Sequence, residues 1–187
     1  MKYIIPILET ERLILKQGNY EDYVKVYEYD FTRLRNIGGE FEYIKNDPEK
    51  LRGYEVYSNE DNVLDFIVYL KNNSEPIGNI TLDRYDEKLK SLEVSINIHP
   101  SYWKKGYATE AMLCVISYVF ENLDIENIIY GYADDNYKSK GLSDKLEFEF
   151  YKESTTHYAR INKDVKEISM IMTRDRFRKL YSSDKQV

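Results

Sequence analysis

The stretch HPSYWKKGYATEAM, running from His99 to Met112, decides how the rest of the chain is read. Just before it, Leu92, Val94, Ile96 and Ile98 alternate with Glu93, Ser95 and Asn97. That period of two marks a strand with one apolar and one polar face. Just after it, from Tyr107 to about Asn122, apolar residues lie nearly all round a helical wheel, which predicts a helix buried against a sheet. Another strand pattern follows at Ile125 to Ala133, so the corner sits inside a strand–helix–strand unit. The first turn of such a helix carries unpaired N–H groups and the positive end of the dipole, and a diphosphate is a natural partner for it. Gly106 lets backbone approach a bulky anion, Lys104 and Lys105 add charge, Ala108 keeps the first turn open and Thr109 offers one more donor. A glycine-containing turn with solvated lysines accounts for the same residues.

Working outward, Leu13 to Lys16 reads as a short strand. Tyr20 to Tyr29 carries Tyr20, Tyr23, Val24 and Tyr27 at helical spacing, with Asn19 as its cap. Residues 30 to 60 are the least regular. Gly38-Gly39 marks a loop there, and Asp47-Pro48 a second helix start. Val63 to Leu70 is a dense apolar run, expected to be a buried strand that turns at Asn72-Asn73 into Pro76 to Leu82. Asn136 to Leu146 reads as a short helix. Phe148 to Tyr158 and Val165 to Thr173 read as a hairpin around Asn162-Lys163, and Arg174 to Val187 as a polar, fraying tail. The expected architecture is a mixed α/β domain spanning 1–187, with its core at about 8–173. No repeat and no Gly/Ser/Pro linker divides the chain.

Of the aromatics, 19 are tyrosine, 7 phenylalanine and 1 tryptophan, so many rings must be packed with their hydroxyls hydrogen-bonded or wet. A net charge of −6 argues against nucleic acid, which needs a basic surface. The one cysteine, Cys114, excludes an internal disulfide and a cysteine-based zinc cluster, and its apolar surroundings predict an inert thiol. His99 and His157 are too few and too far apart to suggest a metal. No stretch approaches a membrane span or a signal peptide, so no membrane partner is expected and a cytoplasmic protein is. Neither G-x-x-x-x-G-K-[ST] nor G-x-G-x-x-G occurs.

YWKKGYATEAM resembles the acyl-CoA diphosphate loop of the GNAT superfamily of N-acetyltransferases, usually [RQ]-x-x-G-x-[GA]. Gly106 and Ala108 match its small positions, and Trp103 stands where Arg or Gln is commoner. LETERLILK (Leu8 to Lys16), EPIGNITL (Glu75 to Leu82) and NYKSKGLSDKLEF (Asn136 to Phe148) resemble, in the same order, segments of the branch of ribosomal-protein N-terminal acetyltransferases. The resemblance covers about Leu8 to Thr173. It implies a central, twisted, mostly antiparallel sheet of about seven strands with about four helices, and a splayed strand pair that binds the cofactor. Glu147 replaces the glycine of an N-x-x-S-x-x-x-x-x-K-L-G-F pattern, and Gly141 falls inside that helix.

The resemblance also implies acetyl-CoA as co-substrate, without a metal. The diphosphate falls to Lys104, Lys105, Gly106, Tyr107, Ala108 and Thr109, and the pantetheine to backbone around Asn97 and Ile98. Asn136 would bind the pantetheine or the substrate; an ordinary helix N-cap is the plainer alternative. Glu93 stands where many members keep a general base, acting directly or through water; a solvated strand glutamate is the plainer alternative. Ser139 is the candidate proton donor or hydrogen-bond partner at the thioester sulfur. Many members carry a tyrosine one turn later, where this chain has Ser143; Tyr137 and Tyr158 are candidate substitutes. Lys140 and Lys145 read either as 3′-phosphate ligands or as solvated helix lysines. The acceptor side would lie between the Tyr20–Tyr57 region and the terminal hairpin near His157 and Glu167, with Glu28, Asp30, Glu40 and Glu42 as candidate ammonium contacts. The expected acceptor is an amine: a protein N-terminus, a polyamine, an aminoglycoside-like or an amino-acid-like amine. A homodimer is the commonest assembly if one forms. The second reading is a non-catalytic acyl-CoA-binding or interaction module on the same fold.

Overall fold

A computed structural model describes residues 3–28, 48–158 and 162–181. Among these the chain forms one eight-stranded sheet in the order β1-β2-β3-β4-β5-β6-β8-β7. The strands are β1 (Leu8–Glu9), β2 (Leu13–Lys16), β3 (Leu64–Leu70), β4 (Pro76–Asp86), β5 (Ser91–Ile98), β6 (Asn127–Ala133), β7 (Glu149–Tyr158) and β8 (Lys163–Thr173). Every neighbouring pair is antiparallel except β5 and β6, which run parallel. The helices are α1 (Tyr20–Val26), α2 (Pro48–Tyr57), α3 (Tyr107–Asn122), α4 (Tyr137–Lys145) and α5 (Arg174–Tyr181). The sheet thus has one strand more than expected, the two-residue β1, and there is one helix more, α5.

Both faces of the sheet are covered. Leu64, Phe66, Val68, Leu92 and Val94 pack with Met112, Val115, Ile116 and Val119 of α3 on one face. Ile67 and Tyr69 pack with Tyr23, Val26, Tyr27 and Leu51 on the other, under α1 and α2. That is why β3 reads as a dense apolar run, interrupted only by Asp65: helices lie on both sides of it, and all seven residues are buried. Strand β5 keeps its alternation because its polar face looks into the site described below.

The expected α1 cap forms as a reciprocal box. The Asn19 side chain accepts from the Asp22 N–H at 3.2 Å, and Asp22 accepts from the Asn19 N–H at 3.0 Å. Helix α2 begins at Pro48, where the missing N–H costs nothing. Asp47, Tyr29 and Gly38-Gly39 lie outside the described residues.

The fraying tail expected from Arg174 is corrected: residues 174–181 are α5. Phe177, Leu180 and Tyr181 fall at i, i+3 and i+4, and Phe177 lies against Phe120 with ring centroids 5.5 Å apart. Arg174 ties the helix start to the carbonyls of Leu123 and Ile125 at 2.8 and 2.5 Å. The exposed Asp175, Arg178 and Lys179, with the half-buried Arg174 and Arg176, mask the apolar spacing within the segment.

Candidate functional site: a parted strand pair and its corner

Strands β5 and β6 are paired only from Ser91–Asn127 to Val94–Tyr130, although β5 continues to Ile98 and β6 to Ala133. Beyond that point the two strands part. The His99 N–H donates to the Ile77 carbonyl at 2.7 Å, so odd-numbered residues of β5 direct their backbone toward β4. The backbone of Asn97 is therefore turned to β4, and it is the backbone of Ile96 and Ile98 that faces the gap. The Ile98 carbonyl already accepts the Trp103 indole N–H at 2.5 Å. Gly78 makes this approach of β4 to β5 possible, since a Cβ there would stand 2.2 Å from the Asn97 carbonyl oxygen.

At the mouth of the gap lies the corner. A short 3-10 turn at Pro100–Tyr102 leads into Lys104 at φ 61° and Gly106 at φ 85°, both left-handed, and Gly106 caps α3 without a side chain. Lys104 and Lys105 are exposed, while Tyr107, Ala108 and Thr109 are half-buried in the first turn. Lys105 Nζ sits 5.1 Å from the Tyr102 ring centroid, and Lys138 Nζ of α4 sits 4.0 Å from that of Trp103. Glu110, also in that first turn, points back to the β1–β2 turn. It accepts from Thr10 Oγ1 at 2.5 Å, from the Arg12 N–H at 3.0 Å and from Arg12 Nε at 2.6 Å. Burial pushes its carboxyl upward, but these donors and the guanidinium charge outweigh it and hold it below the ordinary value of 4.5.

Helix α4 flanks the gap on the α3 side. The Asn136 oxygen caps it by accepting the Ser139 N–H at 3.1 Å. Ser139 lies beside the phenol of Tyr130, the last residue of β6 that pairs with β5. Burial pushes the Tyr130 phenol up to about 12, with the Ser139 hydroxyl working against it. Ser143 is fully buried, and its hydroxyl has no hydrogen-bond partner among the described residues. Tyr137 is 73% exposed, which places its ring on the surface rather than in the gap; the Tyr158 side chain lies outside the described residues. Lys140 pairs with Asp144 at 2.6 Å and Lys145 is exposed, the arrangement of solvated helix lysines. Glu147 ends the helix at φ 58°, the left-handed position a glycine would fill, and Arg176 of α5 holds its carbonyl at 2.8 Å.

The opposite face of the gap, beneath α1 and α2, is polar. Glu93 lies across from Asp83 on β4 and beside Gly131 on β6. Arg84 pairs with Glu93 at 3.1 Å, and Tyr57 donates to Asp83 at 2.5 Å. Deeper, the buried Asp65 carboxylate accepts from Tyr23, Thr81 and Asn79, and Tyr27 donates to Asn79 at 3.1 Å. Burial raises the Asp65 carboxyl above its ordinary range despite those donors. Tyr69 completes the set by donating to Asp22 at 2.7 Å. Part of the tyrosine excess thus has a place on this face, where the hydroxyls of Tyr23, Tyr27, Tyr57 and Tyr69 each meet a carboxylate or amide. Thr156 donates to Glu167 at 2.6 Å, and His157 pairs with Asp164 at 2.7 Å, both out on the β7–β8 hairpin. Glu28 is exposed at the end of α1; Asp30, Glu40 and Glu42 lie outside the described residues.

The structure therefore brings Ile98, Gly106, Asn136 and Ser139 to one side of the parted strands, and Glu93 and the Asn97 side chain to the other. Arg12, Arg84, Tyr130 and Lys138 join them without any local signal, because each meets its partner only through sheet order. Cys114 of α3 is half-buried, and burial pushes its thiol upward. Among the described residues no group of three or more His, Cys, Asp or Glu could hold a metal ion, and no helix is long and apolar enough to cross a membrane.

The profile of the family described as acetyltransferase (GNAT) domain matches residues 12–149. The chain is 27% identical over 150 residues to the Bacillus subtilis (strain 168) protein YoaA, named as an uncharacterized N-acetyltransferase, covering 78% of this chain and 84% of that one. A solved Bacillus anthracis acetyltransferase of the GNAT family superposes with a TM-score of 0.77 at 20% identity, covering 91% of this chain and 99% of that one. The ribosomal-protein-S5-alanine acetyltransferase of Vibrio fischeri superposes with a TM-score of 0.67 at 20% identity, covering 92% and 98%.

Proposed function

Because the chain belongs to the acetyltransferase (GNAT) domain family, and is an acyltransferase, we propose that it moves the acetyl group of acetyl-CoA to a primary amine by direct attack in a ternary complex. The observation that carries this reading is the parting of β5 from β6 after Val94–Tyr130, beside the left-handed corner at Gly106. An acyl-CoA fits that arrangement. The N–H groups from Gly106 to Thr109 and the charges of Lys104 and Lys105 would hold the diphosphate. The gap-facing backbone of Ile96 and Ile98, with Asn136, would hold the pantetheine.

The acceptor approaches from the α1–α2 face. Its neutral nitrogen attacks the thioester carbonyl, the C–N bond forms and the C–S bond breaks. Glu93 takes the proton of the incoming ammonium, directly or through a water. Ser139 donates a hydrogen bond to the departing sulfur, which takes up the surplus proton of the attacking nitrogen and leaves as the thiol of CoA.

The likeness of fold to a ribosomal-protein acetyltransferase favours a protein N-terminus as acceptor over polyamines, aminoglycosides and amino-acid-like amines. The enzyme would work in the cytoplasm as one domain over 1–187, alone or as a homodimer. A thiol-release assay with acetyl-CoA against N-terminal peptides, polyamines and aminoglycosides tests this. Free CoA is expected with the peptides. Binding of acetyl-CoA with no release across the panel would instead mark an acyl-CoA-binding module.

A further inference from the structure

We infer that Arg12 and Glu110 form a latch behind the corner, and that this latch sets the affinity of the loop for the diphosphate of CoA. The inference rests on reading Lys104–Thr109 as the diphosphate cradle. Arg12 stands in the β1–β2 turn, 98 residues from its partner. Its Nε reaches Glu110 Oε2 at 2.6 Å and its Nη2 reaches the same oxygen at 2.5 Å. Its backbone N–H meets Glu110 Oε1 at 3.0 Å, and its Nη1 donates to the Lys105 carbonyl at 2.9 Å. The guanidinium lies 4.6 Å from the Tyr107 ring centroid. One side chain thus touches residues 105, 107 and 110, and a Cβ on Gly106 would stand 3.3 Å from its Nη2.

Two consequences follow from elementary chemistry. In a trans peptide the C=O and N–H point opposite ways. Holding the Lys105 carbonyl toward Arg12 therefore aims the Gly106 N–H away from Arg12, to the outer side of the loop where an anion would sit. Second, Glu110 places a carboxylate within one turn of that anion site. Uncompensated, it would repel a diphosphate; the latch turns it away and offsets its charge. Losing Arg12 removes both effects and touches nothing at the acyl end. The expected signature is a defect confined to donors that carry a diphosphate.

The test compares the affinity of Arg12→Ala for CoA, by calorimetry, with its affinity for pantetheine, which lacks the diphosphate, by NMR titration. Arg12→Ala should weaken CoA about tenfold, the scale of one lost charged hydrogen bond, and leave pantetheine unchanged. Arg12→Ala/Glu110→Gln should recover part of the loss, because the exposed carboxylate is gone. Arg12→Lys keeps the charge with fewer donors and should fall between, which serves if the alanine variant does not fold. Equal weakening of both ligands, or unchanged CoA affinity, overturns the latch. Gly106→Asp separates the two readings. If it weakens CoA while Arg12→Ala does not, the latch alone is wrong. If it leaves CoA binding intact, the cradle itself is wrong and the latch falls with it.

Discussion

Arg84 grips Glu93 from the neighbouring strand, with Nη1 3.1 Å from each carboxylate oxygen. The contact depends on an irregularity in β4. Its register with β5 shifts between Asp83 and Asp86, and Arg84 within that bulge adopts φ 50°. A bulge re-aims a side chain that regular alternation would send elsewhere. Glu93 is therefore paired in a defined orientation on the α1–α2 face of the sheet.

Glu93→Gln should keep the shape and the bulge but remove the proton acceptor. Turnover should fall on the order of a hundredfold, the usual scale for a lost general base, while the dissociation constant for CoA stays within about twofold. Steady-state kinetics beside calorimetry read both quantities. Full activity in the variant would remove Glu93 from the chemistry.

Gly106→Ala adds one methyl at φ 85°, where an L side chain is strained. Folding stability should drop by about 1 kcal/mol. CoA affinity should fall about tenfold as the cradle N–H groups shift. Thermal melts with and without CoA measure the two effects together, and a shift on CoA addition as large as that of the parent chain would count against the cradle.

Helix α4 carries two removable costs. A Cβ on Gly141 would meet nothing within 4 Å, and Glu147 holds φ 58° without being glycine. Gly141→Ala and Glu147→Gly should each add about 1 kcal/mol of stability. That corresponds to a melting point higher by roughly 2–4 °C apiece for a domain of this size. Glu147→Gly retains the carbonyl that Arg176 holds and loses only a side-chain contact of 3.9 Å. A lower melting point in that variant would mean that the Arg176 contact outweighs the backbone strain.

Asp65 makes stability depend on pH in a direction opposite to most carboxylates. Burial raises its folded-state value above the ordinary 3.8, so the folded chain holds the proton more tightly than the unfolded chain does. Its contribution is full below 3.8 and is lost as the pH climbs through the raised value. Asp65→Asn cannot lose a proton there. Urea unfolding from about pH 4 to 8 should show the variant gaining on the parent chain as pH rises. Parallel profiles would show that Tyr23 and Thr81 stabilise the carboxylate as fully as water does.

Much of this was legible along the chain. Period-two alternation announced β5, an all-round apolar wheel announced α3, and a dense apolar run announced β3 as a buried strand. The small pair Gly106 and Ala108 marked the corner, while only the resemblance to the GNAT family tied it to Asn136 and Ser139 of α4. The periodicities are local signals, carried by residues within a turn or a strand of one another. Helix α5 was hidden although its spacing was present, because basic residues dominate the segment and the apolar minority becomes visible only against Phe120.

What only the tertiary structure decided is which groups meet across the sheet. The order β1-β2-β3-β4-β5-β6 sets the β1–β2 turn over α3, so that Arg12 closes on Glu110. A bulge in β4 delivers Arg84 to Glu93, and the end of β5–β6 pairing at Tyr130 brings that phenol to Ser139. Periodicity reports how each segment meets water, one segment at a time. Strand order, bulges and the point where two strands part are settled by packing among many segments at once, and that is where the charges of this site find their partners.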